Sequence, residues 1–226
     1  MRARPRFVAF DVIETVFSLE RLRDRLVGIG LPPGVLDVWF AHTLRDAFAL
    51  AATKTYAPFR EIAAAALATL VAEQGCAADT EAREKVLDGF AELDPHEDAS
   101  AAFRCLQGAH VPILALTNGG AEATRKLLQR AGLDRFVQRV ISVEGVRHLK
   151  PRREVYLHAA GWAGVAPDEL ALVAAHAWDI HGAGRAGLTT AFVARGRPYP
   201  AFMMPPHLTA ASLVEVAEAL VRLPEA

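Results

Sequence analysis

One short stretch, Phe7-Val8-Ala9-Phe10 halting at Asp11, constrains this chain more than any other. A brief, unbroken run of β-forming apolar residues reads as a strand buried on both faces, as the strands of parallel sheets are. Asp11 then stands at the strand's carboxyl end. Ligands of open α/β sheets bind in the crevice just outside those ends, so a carboxylate there is held by a rigid element while facing a cavity. The plain alternative is an acidic turn residue, and the choice depends on whether other strand ends also carry chemistry.

Residues 18–94 contain almost no strand-like run and are rich in Ala, Leu, Glu and Arg. Leu19, Leu22, Leu26 and Ile29 recur at helical spacing before Gly30 and Pro32-Pro33. Further helices are predicted over 35–52, over 59–74 with Gly75 as stop, and from an N-cap at Asp79 or Thr80 to about Leu93. Successive helices without an intervening strand predict a helical domain inserted after the first strand, with Asp94-Pro95 as the return hinge. The pattern then alternates. Strands are predicted at 111–116, 139–143, 170–175 and 189–194, and helices at 121–131, 154–161, after 176–179 as far as Gly187, and at 209–223. The expected fold is α/β, a parallel sheet with helices on both faces, its core made of 1–17 and 95–226 and its cap of 18–94. Polar residues now stand at four strand ends or the loops after them: Asp11, Thr117-Asn118, Lys150 and Asp179.

Twenty-five basic and 26 acidic residues are interspersed for a net charge of −1, which argues against nucleic acid and a polybasic membrane surface. The basic opening is followed by too short an apolar stretch for a signal peptide, and no apolar run is long enough to span a bilayer. Two cysteines, Cys76 and Cys105, make neither a disulfide framework nor a zinc site and read as buried thiols of a cytoplasmic protein. The expected partner is a small-molecule substrate, with neither nucleic acid nor membrane involved and a homodimer left open.

The ordered set of Asp11, Thr117, Lys150 and Asp179, together with the insert, resembles the haloacid dehalogenase superfamily of hydrolases over the whole chain. Within it, the likeness is greatest to the L-2-haloacid dehalogenases. Ala177-Trp178-Asp179 resembles their Asn-Ala-Trp-Asp, and Lys150-Pro151 with Tyr156 resembles their Lys-Pro and downstream Tyr. The superfamily's phosphatases carry a second Asp two residues after the nucleophile as general acid, whereas this chain has Ile13. A halide leaves as a stable anion and needs no such proton.

The resemblance implies a Rossmann-like core and roles that the residues themselves allow. Asp11 attacks an sp³ carbon to form an ester, which water then cleaves. Lys150 keeps a crowded carboxylate cluster ionised. The Thr117 hydroxyl binds an oxyanion or a substrate carboxylate, Thr15 fixes Asp11, Asp179 handles the hydrolytic water, and Tyr156 positions Asp179 or Lys150. Asn118, Phe40, His176 and Trp178 complete the substrate-contacting set. Each has a plain alternative: a common turn for Thr117-Asn118, a solvated lysine for Lys150, packing for Trp178, and a satisfied structural histidine for His176.

Departures from the pattern are informative. Glu14 stands where the dehalogenases have Gly, and Ala174-Ala175-His176 where they have Ser-Ser-Asn. Trp39-Phe40 replaces a Trp-Arg whose Arg receives the departing halide. Arg45 or Arg60 is then a candidate receiver, and Phe40 implies room for a bulkier group on the substrate's C2. No cofactor is expected. Two readings compete with a dehalogenase: a phosphatase holding Mg²⁺ through Asp11 and Asp179, and a fold kept for binding after catalysis was lost.

Overall fold

The computed structural model describes residues 3–225; Met1 and Arg2 of the expected core, and Ala226, lie outside the described residues. In chain order the elements are β1 (Phe7–Phe10), β2 (Phe17–Ser18), α1 (Leu22–Gly28), α2 (Val35–Ala52), α3 (Phe59–Glu73), α4 (Thr80–Asp88), β3 (Asp94–Pro95), α5 (Ala99–Gly108), β4 (Ile113–Thr117), α6 (Ala121–Arg130), β5 (Val137–Ser142), α7 (Arg153–Ala163), β6 (Leu170–Ala174), α8 (Ala177–Ala186), β7 (Thr189–Val193), β8 (Leu208–Ala210) and α9 (Leu213–Val221).

Six strands form one parallel sheet in the order β5-β4-β1-β6-β7-β8. The apolar run after residue 6 is therefore an inner strand, paired with β4 on one side and β6 on the other. Its side chains alternate between two cores, as a pleated strand requires. Val8 and Phe10 pack with Phe103 of α5 and Val216 of α9, and Ala9 packs with Tyr156 of α7 and Ile180 of α8. From β1 the chain moves outward through β4 and β5, then returns to β6 and moves outward the other way. The strand order thus reverses between β1 and β6, and a crevice opens there at the carboxyl ends. Asp11 follows β1 at this point, its N–H donating to Val173 O of β6 at 3.0 Å.

Helices α1–α4 lie between β2 and β3, which pair antiparallel through Phe17 with Pro95 and Ser18 with Asp94. Trp39 is buried among these helices, its indole N–H donating to Ala63 O at 2.9 Å. Ala47, Ala51 and Ile62 of this layer join the core beside β1 and β6, so the insert packs on the sheet layer. No helix among the described residues is long and apolar enough to cross a membrane.

Three readings differ from the sequence. The stretch predicted as helix from residue 209 begins as β8, because pairing with β7 competes with local helix preference; α9 starts only at Leu213, capped by Ser212. Helix α5 was not predicted. Cys76 and Cys105 are free thiols that are only partly buried.

Small residues let α8 approach α7. A Cβ on Gly182 would come within 2.6 Å of Pro151 Cβ and 2.7 Å of the Tyr156 hydroxyl, whereas one on Gly184 would meet only the flexible Met204 side chain, at 2.9 Å. Gly→Ala inside a helix ordinarily stabilises by about 0.5–1 kcal/mol. Gly184→Ala should therefore be tolerated in urea unfolding. Gly182→Ala should instead cost about 1–3 kcal/mol through overpacking and lower turnover by displacing Tyr156.

Candidate active site

Asp11 is held from both oxygens. Thr15 Oγ1 donates to Oδ2 at 2.7 Å and Lys150 Nζ to Oδ1 at 3.1 Å. The same Thr15 hydroxyl oxygen accepts Ala175 N–H at 2.9 Å, which ties the loop after β1 to the end of β6. Lys150 is fully buried, and its ammonium makes two further bonds, to Asp179 Oδ2 and Leu116 O, both at 2.8 Å. An ammonium has three protons, and all three are used. Asp179, in the first turn of α8, receives the Tyr156 hydroxyl on Oδ1 at 2.6 Å. Three loops that are far apart in sequence thus meet in one ion-pair cluster.

Burial by itself would drive Lys150 toward neutrality, but Asp11 and Asp179 outweigh it and hold the lysine above its usual pKa. Burial raises Asp179 above the usual carboxylate range, with Lys150 opposing and Asp11 adding to the rise. Burial, then the nearby Asp179 charge, pushes Tyr156 well above an ordinary phenol. Taking one partner out of such a cluster costs about 3–5 kcal/mol, because the remaining charge is left buried and unpaired.

The loop after β4 is fixed from several sides. Thr117 Oγ1 accepts Gly119 N–H at 2.9 Å, Asn118 Oδ1 accepts Lys150 N–H at 2.9 Å, and Ser142 Oγ donates to Gly119 O at 2.7 Å. Glu14 adopts φ +64°, the left-handed region that favours glycine, where another residue costs about 1–2 kcal/mol. Its carboxylate is engaged away from Asp11: Oε1 accepts Leu19 N–H at 2.7 Å and Oε2 lies 3.8 Å from Arg197. The charge beside the nucleophile is thus drawn to the start of the insert. Arg195 donates to Thr15 O at 3.1 Å while paired with Asp98, and so braces the same loop.

Above Asp11 lies a cavity of about 20 Å³, walled by Ile13, Thr117, Asn118, Gly119, His176 and Trp178 from the sheet layer and by Phe40, Leu44 and Phe59 from the insert. That is room for roughly one water, smaller than the bulkier pocket expected from Phe40. Phe40 lies 5.8 Å from the His176 ring, His176 stacks on Trp178 at 5.4 Å, and Phe48 meets Trp178 edge-on at 5.1 Å. Trp178 Nε1 and His176 Nε2 are buried with no hydrogen-bond partner among the described residues. Neither Arg45 nor Arg60 lines this cavity: Arg45 pairs with Asp46, and Arg60 with Glu84 and Asp88, at the surface.

The ten residues assigned to the site in the sequence fall on the cluster or the cavity wall, whereas the two candidate receivers, Arg45 and Arg60, do not. Leu44, Phe48 and Phe59 were missed. Phe40, Leu44 and Phe48 recur every four residues on α2, a one-face spacing that would have picked out the first two of these.

A parallel sheet with a carboxylate at the end of an inner strand, a buried lysine bridging it to a second carboxylate, and a helical insert over the crevice define a Rossmann-like hydrolase with a covered site. The chain belongs to the haloacid dehalogenase-like hydrolase family, whose model matches residues 6–187. It is 29% identical over 188 residues to (S)-2-haloacid dehalogenase 1 of Pseudomonas sp. strain CBS-3, covering 83% of each chain. It is 24% identical to haloacetate dehalogenase H-2 of Moraxella sp. strain B over 96% of each. Its fold matches that of the L-2-haloacid dehalogenase of Xanthobacter autotrophicus, solved with chloropropionic acid covalently bound, with a TM-score of 0.87 at 22% identity over 96% of this chain and 98% of that one.

If Asp179 works as a base, hydrolysis requires its ionised form. Because its pKa is raised, kcat under conditions where ester hydrolysis limits turnover should fall with decreasing pH at a value above the ordinary ~3.9 of aspartate. The Tyr156 hydroxyl favours the carboxylate, so Tyr156→Phe should move that acid limb to still higher pH. A pH profile of both proteins checks this, and an unmoved limb would detach Tyr156 from the titrating group.

Proposed function

We propose that this hydrolase removes halide from a small 2-haloalkanoic acid by way of an ester on Asp11, without a metal. The observation that carries the reading is the placement of Lys150 Nζ between Asp11 and Asp179, bonded to both. One Asp11 oxygen attacks C2, the C–halogen bond breaks with its electron pair leaving on the halide, and an ester forms. Asp179 then takes a proton from water, whose oxygen attacks the ester carbonyl. Collapse breaks the acyl C–O bond, the proton held by Asp179 passes to the departing alkoxide oxygen to free a 2-hydroxy acid, and Asp11, now carrying the water oxygen, releases its remaining proton to solvent and is a carboxylate again. Lys150 bonds one Asp11 oxygen before the first step, and Thr15 holds the other, which fixes how the carboxylate is presented. The covalent chloropropionate of the Xanthobacter enzyme and the names of the curated relatives support this reading.

The residues present do not suit Mg²⁺, the ion of the competing phosphatase reading. Mg²⁺ demands nearly octahedral oxygen coordination. Here the Lys150 ammonium, bonded to both Asp11 and Asp179, already occupies the place and supplies the positive charge that an ion between the two carboxylates would provide. Ile13 and Ala175 supply no side-chain oxygen. Activity on chloroacetate or 2-chloropropionate should therefore survive EDTA, whereas hydrolysis only of phosphate esters, and only with Mg²⁺, would reverse the assignment. In a single turnover in ¹⁸O-water, label should enter the Asp11 carboxylate, and Asp11→Asn should abolish turnover. Label confined to product would mean direct attack by water.

Phe40 lines the cavity without offering a cation. A hydrogen bond to a charged group is worth about 1.5–3 kcal/mol, and ~1.4 kcal/mol is tenfold in rate. Phe40→Arg should accordingly raise chloroacetate turnover by roughly ten- to a hundredfold. A slower variant would show that this position does not face the leaving group.

A further inference from the structure

Strand β5 is an end strand of the sheet, paired with β4 alone. Along its open edge, between α6 and α7, lies a hollow of about 220 Å³, against about 20 Å³ over Asp11. Four donor-bearing side chains line it: Arg125 of α6, Arg139 of β5, and His158 and Trp162 of α7. His158 and Trp162 stand four residues apart, on one face of their helix. The Arg139 guanidinium lies over the Trp162 ring, 5.8 Å from its centre, and its side chain makes no hydrogen bond or ion pair among the described residues. A guanidinium resting on an aromatic face keeps its edge N–H groups free, and their fork matches two oxygens of a carboxylate or phosphate.

Acceptors for these donors are scarce. Glu144, the acid lining the hollow, turns Oε2 to Ala121 N–H at 2.9 Å and to the Ser142 hydroxyl at 3.3 Å. Glu122 is shared between Arg125 at 3.0 Å and Lys126 at 3.5 Å, so two cations divide one carboxylate. The plain alternative for Arg139 is a charge that guards an open strand edge against pairing with another chain. That accounts for one cation at the edge. It does not account for a second guanidinium, an imidazole and an indole gathered around the same hollow.

We propose that this hollow is a binding site for a small organic oxyanion, a carboxylate or phosphate held by Arg125 and Arg139 beside Trp162, and that its occupancy is felt in the active site. The path is short. Ser142 and Glu144, which line the hollow, hold Gly119 O and Ala121 N–H at the end of the loop after β4. That loop carries Thr117 and Asn118, and Asn118 accepts Lys150 N–H. An anion seated beside Glu144 changes the field on that carboxylate, and with it the hold on Ala121. The site stands apart from the reaction proposed for Asp11 and does not depend on it.

The test uses the full chain labelled with ¹⁵N. Its three indoles, Trp39, Trp162 and Trp178, give separate N–H resonances, and the peak lost in Trp162→Phe assigns the second. Inorganic phosphate and succinate are titrated separately at constant ionic strength. At least one should shift the Trp162 resonance saturably, the responding anion naming the ligand's head group, and the Ala121 amide should move with the same midpoint. Trp39, already bonded to Ala63 O, should stay in place and report that each variant remains folded. Arg139→Glu keeps a charge to guard the edge but repels an anion, so it should weaken binding about tenfold or more, and Arg125→Gln should weaken it as well. A Trp162 resonance unmoved by either anion, or equal affinity in Arg139→Glu, would overturn the proposal. Shifts confined to Trp178 would do the same, since they put the anion over Asp11. A response at Trp162 with none at Ala121 would overturn the link to the active site. Because no turnover is read, each result holds whether or not the protein consumes haloacids.

Discussion

A buried ammonium is the interaction on which the rest of this structure depends. Lys150 has no exposed surface, and each of its three protons is spent, on Asp11, Asp179 and Leu116 O. Left alone, such a charge would lose its proton. Left without Lys150, the two buried carboxylates would repel each other. With both carboxylates ionised, one lysine cannot balance two acids, and neutral hydroxyls from Thr15 and Tyr156 are placed against them. Under the proposed reaction, esterifying Asp11 removes that excess and leaves Lys150 with a single counter-ion. The strain of an overcharged cluster thus favours the nucleophile's own consumption.

The sheet makes this cluster possible by bringing three distant loops to one reversal of strand order. The Thr15–Ala175 bond stitches the reversal shut beneath the nucleophile, and Arg195 braces the same turn from the far side. Glu14 shows how the turn tolerates a residue poorly suited to its backbone angle: the side chain caps Leu19 N–H and so regains some of what the left-handed conformation costs.

The sequence discloses the chemistry of this site more readily than its enclosure. Asp11, Thr117, Lys150 and Asp179 could be read because each follows a buried strand or opens a helix, where the period of the pattern changes. The helices of the insert were legible through their own stops, such as Gly30 and Gly75. Strand β8 was not, since three residues become a strand only when β7 lies beside them. Nor could sequence show that Arg45 and Arg60 are drawn to acidic neighbours at the surface, away from the cavity. The unpaired indole of Trp178 was equally hidden, because an unmet hydrogen bond is a property of surroundings rather than of residue type.

The two-residue pair β2–β3 brings the ends of the insert to neighbouring strands, about 5 Å apart. A detour of many residues is thereby closed at its own neck. The sheet need not be re-threaded for the detour to lengthen, shrink or be exchanged, because the core feels only two adjacent strand ends. Nucleophile, lysine and second carboxylate all lie on the core side of the neck, while Phe40, Leu44 and Phe59 lie beyond it. Descent can therefore rewrite what the enzyme admits while inheriting its reaction unchanged.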